Sequence, residues 1–461
     1  MKIDGGSFRD PESRVFIADS RVFRGLSADA AEIDLRVRES GLLDRLVATG
    51  VIIENWRVED IVVPSGVPSA AVVESRRLPV VSYPGEWSFP MLRDAALLTL
   101  DANLAALDSG FILKDASAFN VVFEGGKPLI IDVSSLDAVE NHAVWTAYGQ
   151  FVDHFVAPLM LEAYTGMPFQ PVLSTSIEGF PVGMLNQLLS GGRRYRRGVM
   201  THVRLRSRIE GRADAMAVDE RSRIAAVSLP VSAIQANMKK LRRLVMKLES
   251  PNVGRWEGYE ASLPYAASET DAKRTFVEGA VATSRGRDLA LDVGANEGLF
   301  TATMIDRFDH VVAIDNDPGV VGALYTSLEG AGRDRLTPLV VDIVNPSPAY
   351  GLRGRERPGF ADRVRPDFST WLAVIHHLSI GQGIPLSEIV ELVAETSPEA
   401  VVEFVDPADP MVQQISASRP DRVDGYDRTV FEDLLRLRFD VVRAEPVSGT
   451  RTMYHIVRRD Y

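Results

Sequence analysis

The second half of the chain alternates short apolar runs with helical stretches, and no other feature restricts the possible folds as strongly. The apolar runs are DLALDVG (288–294), HVVAID (310–315), LTPLVVDI (336–343), STWLAVIHH (369–377) and EAVVEFV (399–405). Runs so rich in Val, Ile and Leu are typical of parallel strands that helices cover on both faces. A predicted helix (429–439) and two further runs close the chain, and these two runs lie near enough in sequence to pair antiparallel at the sheet edge. The sequence therefore predicts an α/β domain built on a mostly parallel sheet.

A glycine-containing turn follows the first run and opens a helix, in the stretch LDVGANEGLF (291–300). Gly294 and Gly298 permit a sharp turn and the close approach of a ligand, and Asn296 stands where many such loops have a third glycine. Asp292, at the end of the strand, could orient the loop or meet a ligand ammonium group. A nicotinamide-dependent dehydrogenase is a competing interpretation, but its fingerprint is G-x-G-x-x-G, whereas this loop reads G-A-N-E-G.

Two aspartates follow at the ends of the next two runs. Asp315 ends the second run, where a carboxylate can accept hydrogen bonds from both hydroxyls of a ribose. Asp342 lies at the end of the third run, where it can accept a bond from an adenine amino group. Because the carboxyl ends of parallel strands meet at one edge of the sheet, these groups and the glycine turn are expected to form one ligand site.

The motifs D-x-G-A-N-x-G, A-I-D-x-D-P, V-x-D-I and A-V-I-H-H-L occur in this order over about residues 255 to 461. As a set they resemble the class I S-adenosylmethionine-dependent methyltransferases. The resemblance implies a Rossmann-like, seven-stranded methyltransferase domain with an antiparallel edge hairpin, and S-adenosylmethionine as its cofactor. It further implies which residues bind each part of the cofactor: Asp292, Gly294, Asn296 and Gly298 the methionine part, Asp315 the ribose and Asp342 the adenine. Asn316, Ile343 and His376 are predicted as further cofactor contacts.

Two adjacent histidines, His376 and His377, close the fourth run, after its predicted strand, at the end of the site that would face the sulfonium. A histidine titrates near neutral pH and can remove a proton from a nucleophile during methylation. In similar O-methyltransferases a histidine at the position of His376 is the general base. Packing against the cofactor is an equally weighted alternative, and in either case His376 lines the site.

Further candidates surround this end of the site. Glu403 lies in the fifth run and Asp406 just beyond it, where either carboxylate could hold a substrate amine. A metal site built from such groups matches no known ligand spacing, so none is predicted. The aromatic residues Trp256, Tyr259 and Tyr265 precede the first run and are predicted to form a lid over cofactor and substrate.

The first half contains a polar stretch of another kind, LKDASAFN (113–120), followed by PLIIDV (128–133). Asp115 and Asn120 have the D-x-x-x-x-N spacing of a kinase catalytic loop, and Asp132 stands where a metal-binding aspartate would follow. A kinase also needs a lysine that holds the phosphates, and Lys2 is the single lysine before Lys114. The pattern favours a retained kinase-like fold without phosphoryl transfer, while ATP-dependent phosphotransfer stays open as an alternative.

These observations predict three segments. Residues 1–228 form an α+β domain that resembles a kinase C-lobe, with helices over 90–107 and 145–164 and a hairpin around Gly125. An amphipathic helix over 229–251 connects it to the methyltransferase domain at 252–461; its apolar stripe is Ile234, Met238, Leu241, Val245 and Leu248. The combination, with SYPGEWSF (82–89) and AYGQFVDHFVAPL, resembles bacterial proteins related to the nodulation protein NoeA.

Composition restricts the partners. The formal net charge of −12 argues against nucleic acid, and the arginine-dense stretch 191–212 is interpreted as a solvated face. The chain has no cysteine, no apolar run long enough to cross a bilayer and no secretory signal, so we expect a cytoplasmic monomer or homodimer that binds no membrane.

The predicted function is methyl transfer to an O, N or C nucleophile of a small molecule, in bacterial specialised metabolism. A scaffold protein that binds the cofactor without turnover is the alternative from a different class.

Overall fold

A computed structural model of the chain describes residues 1–142, 144–213, 229–252, 254, 267–328, 334–417, 419, 422 and 424–459. The chain forms two compact units. The first unit comprises residues 1–253 and 347–359, and the second comprises residues 254–346 and 360–461.

The first unit contains a five-stranded antiparallel sheet and two smaller antiparallel pairs. The large sheet has the order β1-β2-β3-β5-β4, with β1 at Lys2–Ile3, β2 at Ser13–Ala18, β3 at Arg21–Leu26, β4 at Asn55–Val58 and β5 at Ala71–Ser75. The pairs are β6 (Phe111–Leu113) with β9 (Leu136–Ala138), and β7 (Val121–Glu124) with β8 (Lys127–Ile130). The second pair confirms the predicted hairpin, whose turn places Gly125 at φ +59°. The likeness of this unit to a kinase C-lobe stays a prediction.

The α-helices described in the first unit are Ala28–Glu39, Leu42–Ala48, Phe89–Leu107, Tyr148–Phe151, Ala157–Thr165, Gln170–Leu173, Val182–Leu188, Arg206–Ala213 and Val231–Val245. Two π-helical segments, Val152–Val156 and Val199–Leu205, join them. Short 3₁₀ turns lie at Pro84–Glu86, Ala118–Asn120, Val133–Ser135, Val139–Asn141, Gly191–Tyr195 and Leu352–Gly354.

The division into units differs from the predicted one at the amphipathic helix. Val231–Val245 was predicted to connect two domains, and it belongs to the first unit. Its apolar stripe is buried as expected, and its polar face bonds to neighbouring acidic side chains: Arg242 Nε lies 2.6 Å from Asp101 Oδ1, and Gln235 Nε2 lies 2.7 Å from Asp108 Oδ1. The helix therefore packs as part of the first unit.

A second difference concerns residues 347–359, which were predicted to lie in the methyltransferase domain and belong to the first unit. Within that unit, the ring of Tyr350 lies 6.2 Å from those of Tyr83 and Phe119, and the guanidinium carbon of Arg357 lies 4.4 Å from the Phe119 ring centre. The position of this segment in the sequence, between strands of the second unit, did not indicate that it belongs to the first.

The second unit is built on one mixed sheet. Its strands are β10 (Leu289–Val293), β11 (His310–Asp315), β12 (Leu336–Val340), β13 (Phe368–Trp371), β14 (Glu399–Val405), β15 (Phe439–Ser448) and β16 (Arg451–Arg458). Across the described residues the sheet has seven strands in the order β12-β11-β10-β13-β14-β16-β15. β10 to β14 are parallel, β16 runs antiparallel to β14, and β15 pairs with β16 at the edge. The predicted α/β class and mostly parallel sheet are confirmed.

The strand order reverses beside β10, because β11 and β12 extend to one side and β13 and β14 to the other. Such a reversal leaves a crevice at the carboxyl ends of the strands, where this kind of sheet binds ligands. The loops that follow β10, β11, β12 and β13 thus meet at one edge.

The helices described in the second unit are Ala267–Thr283, Ala302–Ile305, Pro318–Ser327, Phe360–Arg363, Leu386–Thr396, Pro410–Ser416 and Arg428–Arg438, with a π-helical segment at His377–Gly381. Ala267–Thr283 buries Phe276 and Val277 in a core that also contains Ala290 and Val401 of the sheet. No helix among the described residues is both long and apolar enough to span a membrane.

Candidate functional site

The loop after β10 makes a tight turn through three residues with left-handed backbone. The φ angles are +70° at Gly294, +48° at Asn296 and +84° at Gly298. A β-carbon added at Gly294 would lie 2.7 Å from Val374 Cγ2, and one added at Gly298 would lie 2.7 Å from Leu324 Cδ1. The left-handed backbone therefore favours glycine at both positions, and a residue with a β-carbon would also have to displace a methyl group of Val374 or Leu324.

Asn296 adopts the left-handed conformation that asparagine tolerates better than most residues. Its Oδ1 is buried, and no residue that the structure describes offers it a hydrogen bond. A buried acceptor without a donor carries a desolvation cost that a ligand donor would remove. Other buried side-chain atoms also lack a described partner, among them Asn120 Nδ2 in the first unit, so the Asn296 oxygen is only a candidate position for a ligand donor.

Asp292 lies beneath the glycine loop and is almost fully buried. Its Oδ2 accepts a hydrogen bond from the Thr301 hydroxyl at 2.5 Å, and its Oδ1 accepts one from Thr370 at 2.6 Å. Burial raises the pKa of Asp292 to about 6, although the two hydroxyl donors oppose this effect. The carboxyl group is thus fixed by two threonines that the sequence analysis did not select.

Asp315 is the last residue of β11, and it connects two loops. Its Oδ2 accepts a bond from the Asn296 amide at 3.2 Å, and its Oδ1 accepts one from the Asp317 amide at 3.0 Å. Burial raises the pKa of Asp315, while these amide donors lower it. The neighbouring Asn316 side chain is exposed.

Asp342 lies two residues beyond the end of β12 rather than at the strand end, and it is half-buried with Ile343. Asp342 Oδ1 accepts a bond from the Val344 amide at 3.1 Å. The preceding residue, Val341, donates its amide to the Asp315 carbonyl at 2.9 Å. Asp342 is therefore held next to the end of β11, on the side of the site away from the glycine loop.

The two histidines lie at the start of a helical turn after β13, and they differ in burial. His376 is 2% exposed and its Nδ1 has no hydrogen-bond partner among the described residues, whereas His377 is half-buried. Their ring centres are 4.4 Å apart. Burial lowers the pKa of His376 well below its ordinary value, and His377, Arg451 and Lys273 act in the same direction. His376 is consequently neutral near neutral pH.

The two carboxylates predicted to hold a substrate lie in different environments. Glu403 is 0% exposed and bonds to Lys273, Arg451 and the Ala373 amide, so its partners are internal. Asp406 is half-buried beyond β14, and its Oδ2 lies 3.5 Å from Arg428 Nη2. No sequence pattern distinguishes these two carboxylates.

The predicted lid residues Trp256, Tyr259 and Tyr265 lie outside the described residues. In the described part of the chain, no group of three or more His, Asp or Glu side chains could hold a metal ion.

The structure therefore joins most of the predicted cofactor residues. The glycine loop donates the Asn296 amide to Asp315. At Gly294 the loop also lies against the side chain of Val374, in the loop after β13. The sequence analysis missed Thr301, Thr370, Lys273 and Arg451. The one available signal was a charged residue inside an apolar run, Glu403 in EAVVEFV, because such residues are rarely buried without a partner.

In the first unit, the loop at 113–120 has internal partners. Asp115 Oδ1 accepts the Ser117 amide at 2.8 Å, and Gln150 accepts the Ala116 amide at 2.8 Å. Burial raises the pKa of Asp115, and Asp132 raises it further. Asn120 ends the short 3₁₀ turn of this loop.

Asp132 is paired in the same region of the first unit. It lies 3.1 Å from Arg24 Nη1 on β3 and accepts the Ser134 hydroxyl at 2.7 Å. Lys114 Nζ lies 2.5 Å from Glu12 Oε2. Arg24 and Lys114 are thus both paired with carboxylates of the protein, Arg24 with Asp132 and Lys114 with Glu12.

Comparison with known proteins establishes the family. The chain is 30% identical to the nodulation protein NoeA of Rhizobium meliloti (strain 1021) over 460 residues, which cover 99% of this chain and 96% of that protein. No family model matches the sequence. The chain belongs to the family of the nodulation protein NoeA.

Solved structures with partial likeness include two methyltransferases. Magnesium protoporphyrin IX methyltransferase ChlM of Synechocystis PCC 6803, with bound SAM, is 14% identical and covers 42% of this chain and 80% of its own, with a TM-score of 0.30. The N-methyltransferase NodS of Bradyrhizobium japonicum WM9, in complex with S-adenosyl-L-homocysteine, is 14% identical and covers 43% and 91%, with a TM-score of 0.31. Likeness at these TM-scores does not establish a fold. The fold of the second unit is therefore assigned from its own strand order.

Proposed function

We propose that the second unit of this NoeA-family protein binds S-adenosylmethionine at the carboxyl edge of its sheet. We further propose that it transfers the methyl group to an O, N or C nucleophile of a small molecule. The observation that carries the proposal is the glycine loop, which turns through left-handed backbone at the end of β10 and whose Asn296 amide bonds to Asp315 at the end of the adjacent strand.

The groups present suit the parts of this cofactor. Asn296 Oδ1 can accept a bond from the ammonium of the methionine part, and the carboxyl group of Asp292 lies below the same loop. Each oxygen of Asp315 accepts one amide bond and retains lone pairs for the ribose hydroxyls. Asp342 can accept from the adenine amino group. In this assignment Gly294 and Gly298 make room for the methionine part, because larger residues would fill the turn.

The cofactor supplies a methyl carbon bound to a positively charged sulfur, a good leaving group. The protein residues must hold the nucleophile in line with that carbon and exclude water, and positioning of this kind accounts for a large part of many rate enhancements. As the carbon–sulfur bond breaks, the nucleophile forms its bond to carbon and releases a proton. Half-buried His377 is the more accessible acceptor for that proton, and buried His376 lies behind it.

A cofactor-binding protein without turnover is the second candidate. The burial of His376 favours it, because a ring that is 2% exposed does not reach a substrate without a conformational change. Asp406 as a substrate contact, a role in bacterial specialised metabolism, a cytoplasmic location and a monomeric or homodimeric state remain predictions from the sequence.

Two measurements test the proposal. Calorimetric titration with S-adenosylmethionine, S-adenosylhomocysteine and NADH should show binding of the first two alone. A preference for NADH would reverse the choice between methyltransferase and dehydrogenase. Release of S-adenosylhomocysteine in the presence of a panel of small alcohols, amines and activated carbon acids then separates catalysis from binding. Binding without release for any acceptor in the panel would support the second candidate.

A further inference from the structure

A cluster of buried charges lies below the loop that carries the two histidines. Lys273 of helix Ala267–Thr283 and Arg451 of β16 each lie close to Glu403 of β14, with Nζ to Oε1 at 2.8 Å and Nη1 to Oε1 at 3.1 Å. Arg451 Nε also lies 3.0 Å from Asp409 Oδ2. These four residues are at most 8% exposed. Glu269 Oε1 also lies 3.5 Å from Arg451 Nε and 3.9 Å from Lys273 Nζ, so two cations meet three carboxylates inside the second unit.

Burial alone would raise the pKa of Glu403, but the charges of Lys273 and Arg451 lower it below its ordinary value. Glu403 is therefore ionised, and one of its oxygens, Oε1, binds both cations. A buried ion pair is seldom retained for stability alone, because apolar residues of similar volume often stabilise a protein as well. The use of the other oxygen suggests a more specific role.

Glu403 Oε2 accepts the backbone amide of Ala373 at 2.8 Å. Ala373 has a φ of +54°, in the left-handed region that a residue with a β-carbon rarely adopts. A strained conformation persists only where its surroundings enforce it, and such positions cluster at functional sites. The carboxylate is thus the anchor of a strained turn that ends β13.

This turn places two elements of the candidate site. The next residue, Val374, lies against Gly294 of the glycine loop, and its carbonyl accepts the Leu378 amide at 3.1 Å, which starts the helical turn of His376. One bond at Ala373 therefore fixes both the wall opposite the glycine loop and the histidine segment.

We propose that Glu403 is a positioning residue of the cofactor site, which holds the Ala373 turn and through it sets Val374 and His376 against the glycine loop. The inference rests on the proposed function for its role toward the cofactor, and on the geometry of the second unit for the anchor itself. It assigns Glu403 a different task from the substrate contact predicted from the sequence.

Glu403→Gln is the sharpest variant, because it keeps the shape and removes the charge. A glutamine offers one oxygen and one NH₂ group. With the oxygen toward Ala373, the NH₂ group would face Lys273 and Arg451, which are also donors. With the opposite orientation, the NH₂ group would face the Ala373 amide. Glutamine cannot satisfy both sides, so the turn should loosen.

Glu399→Gln is the matched control. Glu399 lies on the same strand and is also buried, with His455 Nε2 at 2.7 Å from one oxygen and the Arg285 amide at 3.2 Å from the other. It pairs with Phe368 at the start of β13, at the opposite end of the strand from Ala373. Both variants remove a buried charge, and only Glu403→Gln removes the anchor of the turn.

Two readouts on the full chain are compared. Hydrogen exchange of the Ala373 amide should become about tenfold faster in Glu403→Gln and stay unchanged in Glu399→Gln. The dissociation constant for S-adenosylhomocysteine should rise about tenfold in Glu403→Gln alone. Equal effects of the two variants on either readout would overturn the inference.

The wild-type protein provides a test that needs no variant. Its Ala373 amide should exchange slowly, and exchange at the rate of an open loop would refute the anchor even if Glu403→Gln failed to fold. If the wild type bound no S-adenosylhomocysteine, the proposed function would fall, while the exchange comparison would still decide whether Glu403 anchors the turn.

Discussion

The loops at 113–120 in the first unit and at 294–298 in the second both resemble catalytic or cofactor-binding motifs, yet their backbones differ. In the first loop, which has no residue of positive φ, the amides of Ala116 and Ala118 donate to Gln150 and His154, at 2.8 Å and 3.2 Å. Burial lowers the pKa of His154 to about 4, so the ring is neutral, and the Ala118 donor identifies Nδ1 as the nitrogen without a proton. The second loop turns through left-handed backbone at Gly294, Asn296 and Gly298. Each loop also has a buried side-chain atom without a partner among the described residues, Asn120 Nδ2 in the first and Asn296 Oδ1 in the second.

The difference teaches how to separate a retained motif from a working one. A loop of ordinary backbone conformation whose amides bond to the surrounding fold contributes to stability, whereas a loop with left-handed backbone at the carboxyl edge of a parallel sheet is shaped for a ligand. Substitutions in the first loop should therefore affect unfolding, and substitutions in the second should affect cofactor binding.

The largest effect is expected for Asp315→Ala. The variant loses a charged acceptor for two ribose hydroxyls, and each such bond contributes about 1.5–3 kcal/mol, so affinity for S-adenosylhomocysteine should fall about a hundredfold or more. Calorimetric titration measures the change.

Asp317→Ala is the local control for that experiment. Asp317 caps helix Pro318–Ser327 by accepting the Gly319 amide at 2.9 Å, and its loss should lower stability by about 1 kcal/mol with little change in affinity. An Asp315→Ala protein that still bound as tightly as Asp317→Ala would remove the ribose assignment.

The next effect concerns pH and Asp292 below the glycine loop. Burial raises the pKa of Asp292 to about 6, above its value of about 3.9 in an unfolded chain. Because the pKa of Asp292 is raised by folding, its protonated carboxyl group stabilises the folded state. This contribution to stability is complete below about pH 4 and is lost as pH rises through about 6. The shift of about two units corresponds to about 3 kcal/mol.

Asp292→Asn removes this titration. The free energy of unfolding of the wild type, relative to that of Asp292→Asn, should therefore decrease by about 3 kcal/mol between pH 4 and pH 7. Urea unfolding of both proteins at intervals of one pH unit measures the difference. A constant difference over this range would show that the carboxyl group titrates as it does in solvent.

For the first unit, Asp132→Ala should destabilise the protein by about 2 kcal/mol, because Arg24 and Ser134 lose their shared acceptor. Affinity for S-adenosylhomocysteine should not change. Urea unfolding and calorimetry report the two quantities.

The same variant tests the phosphotransferase alternative. Titration of the wild type with magnesium and ATP should give no heat of binding. Nucleotide binding that Asp132→Ala abolished would instead restore the kinase interpretation and end the contrast between the two loops.

The smallest effect is expected from two glycines with the same backbone angle. Gly294 and Gly50 both have a φ of +70°, but a β-carbon would lie 2.7 Å from Val374 at Gly294 and would meet nothing within 4 Å at Gly50. Alanine should cost about 1–2 kcal/mol of stability at either position. Only Gly294→Ala should also weaken cofactor binding, by about tenfold. Equal affinities for the two variants would show that Gly294 serves the turn alone.

Periodicity predicted the strands well where a polar residue ends or directly follows the apolar run, and less well where the apolar run continues. β11 and β14 have the predicted bounds, 310–315 and 399–405. The run 369–377 was predicted to hold the fourth strand with the two histidines after it, and β13 already ends at Trp371 because the chain turns at Ala373. An apolar run reports burial, and buried turns and strands cannot be told apart by burial alone.

The candidate site shows the same limit. The glycine loop, Asp315 and Asp342 were selected because strand ends in a parallel sheet converge. The partners of Asp292 and Glu403 were not, since Thr301, Thr370, Lys273 and Arg451 come from four separate elements of the second unit. Hydrogen-bond partners distant in sequence leave no local pattern.

The sequence by itself determined the parallel sheet, the glycine turn and the aspartates at its edge, because alternation of apolar residues and the placement of glycine are local properties of the chain. Only the tertiary structure decided that residues 347–359 join the first unit, that Asp132 is paired with Arg24, and that Glu403 faces inward to the Ala373 turn. These outcomes depend on which buried charges and amides interact in the folded chain. The free energy of each interaction is set by the burial of the two groups and the distance between them, and no local sequence pattern encodes either quantity.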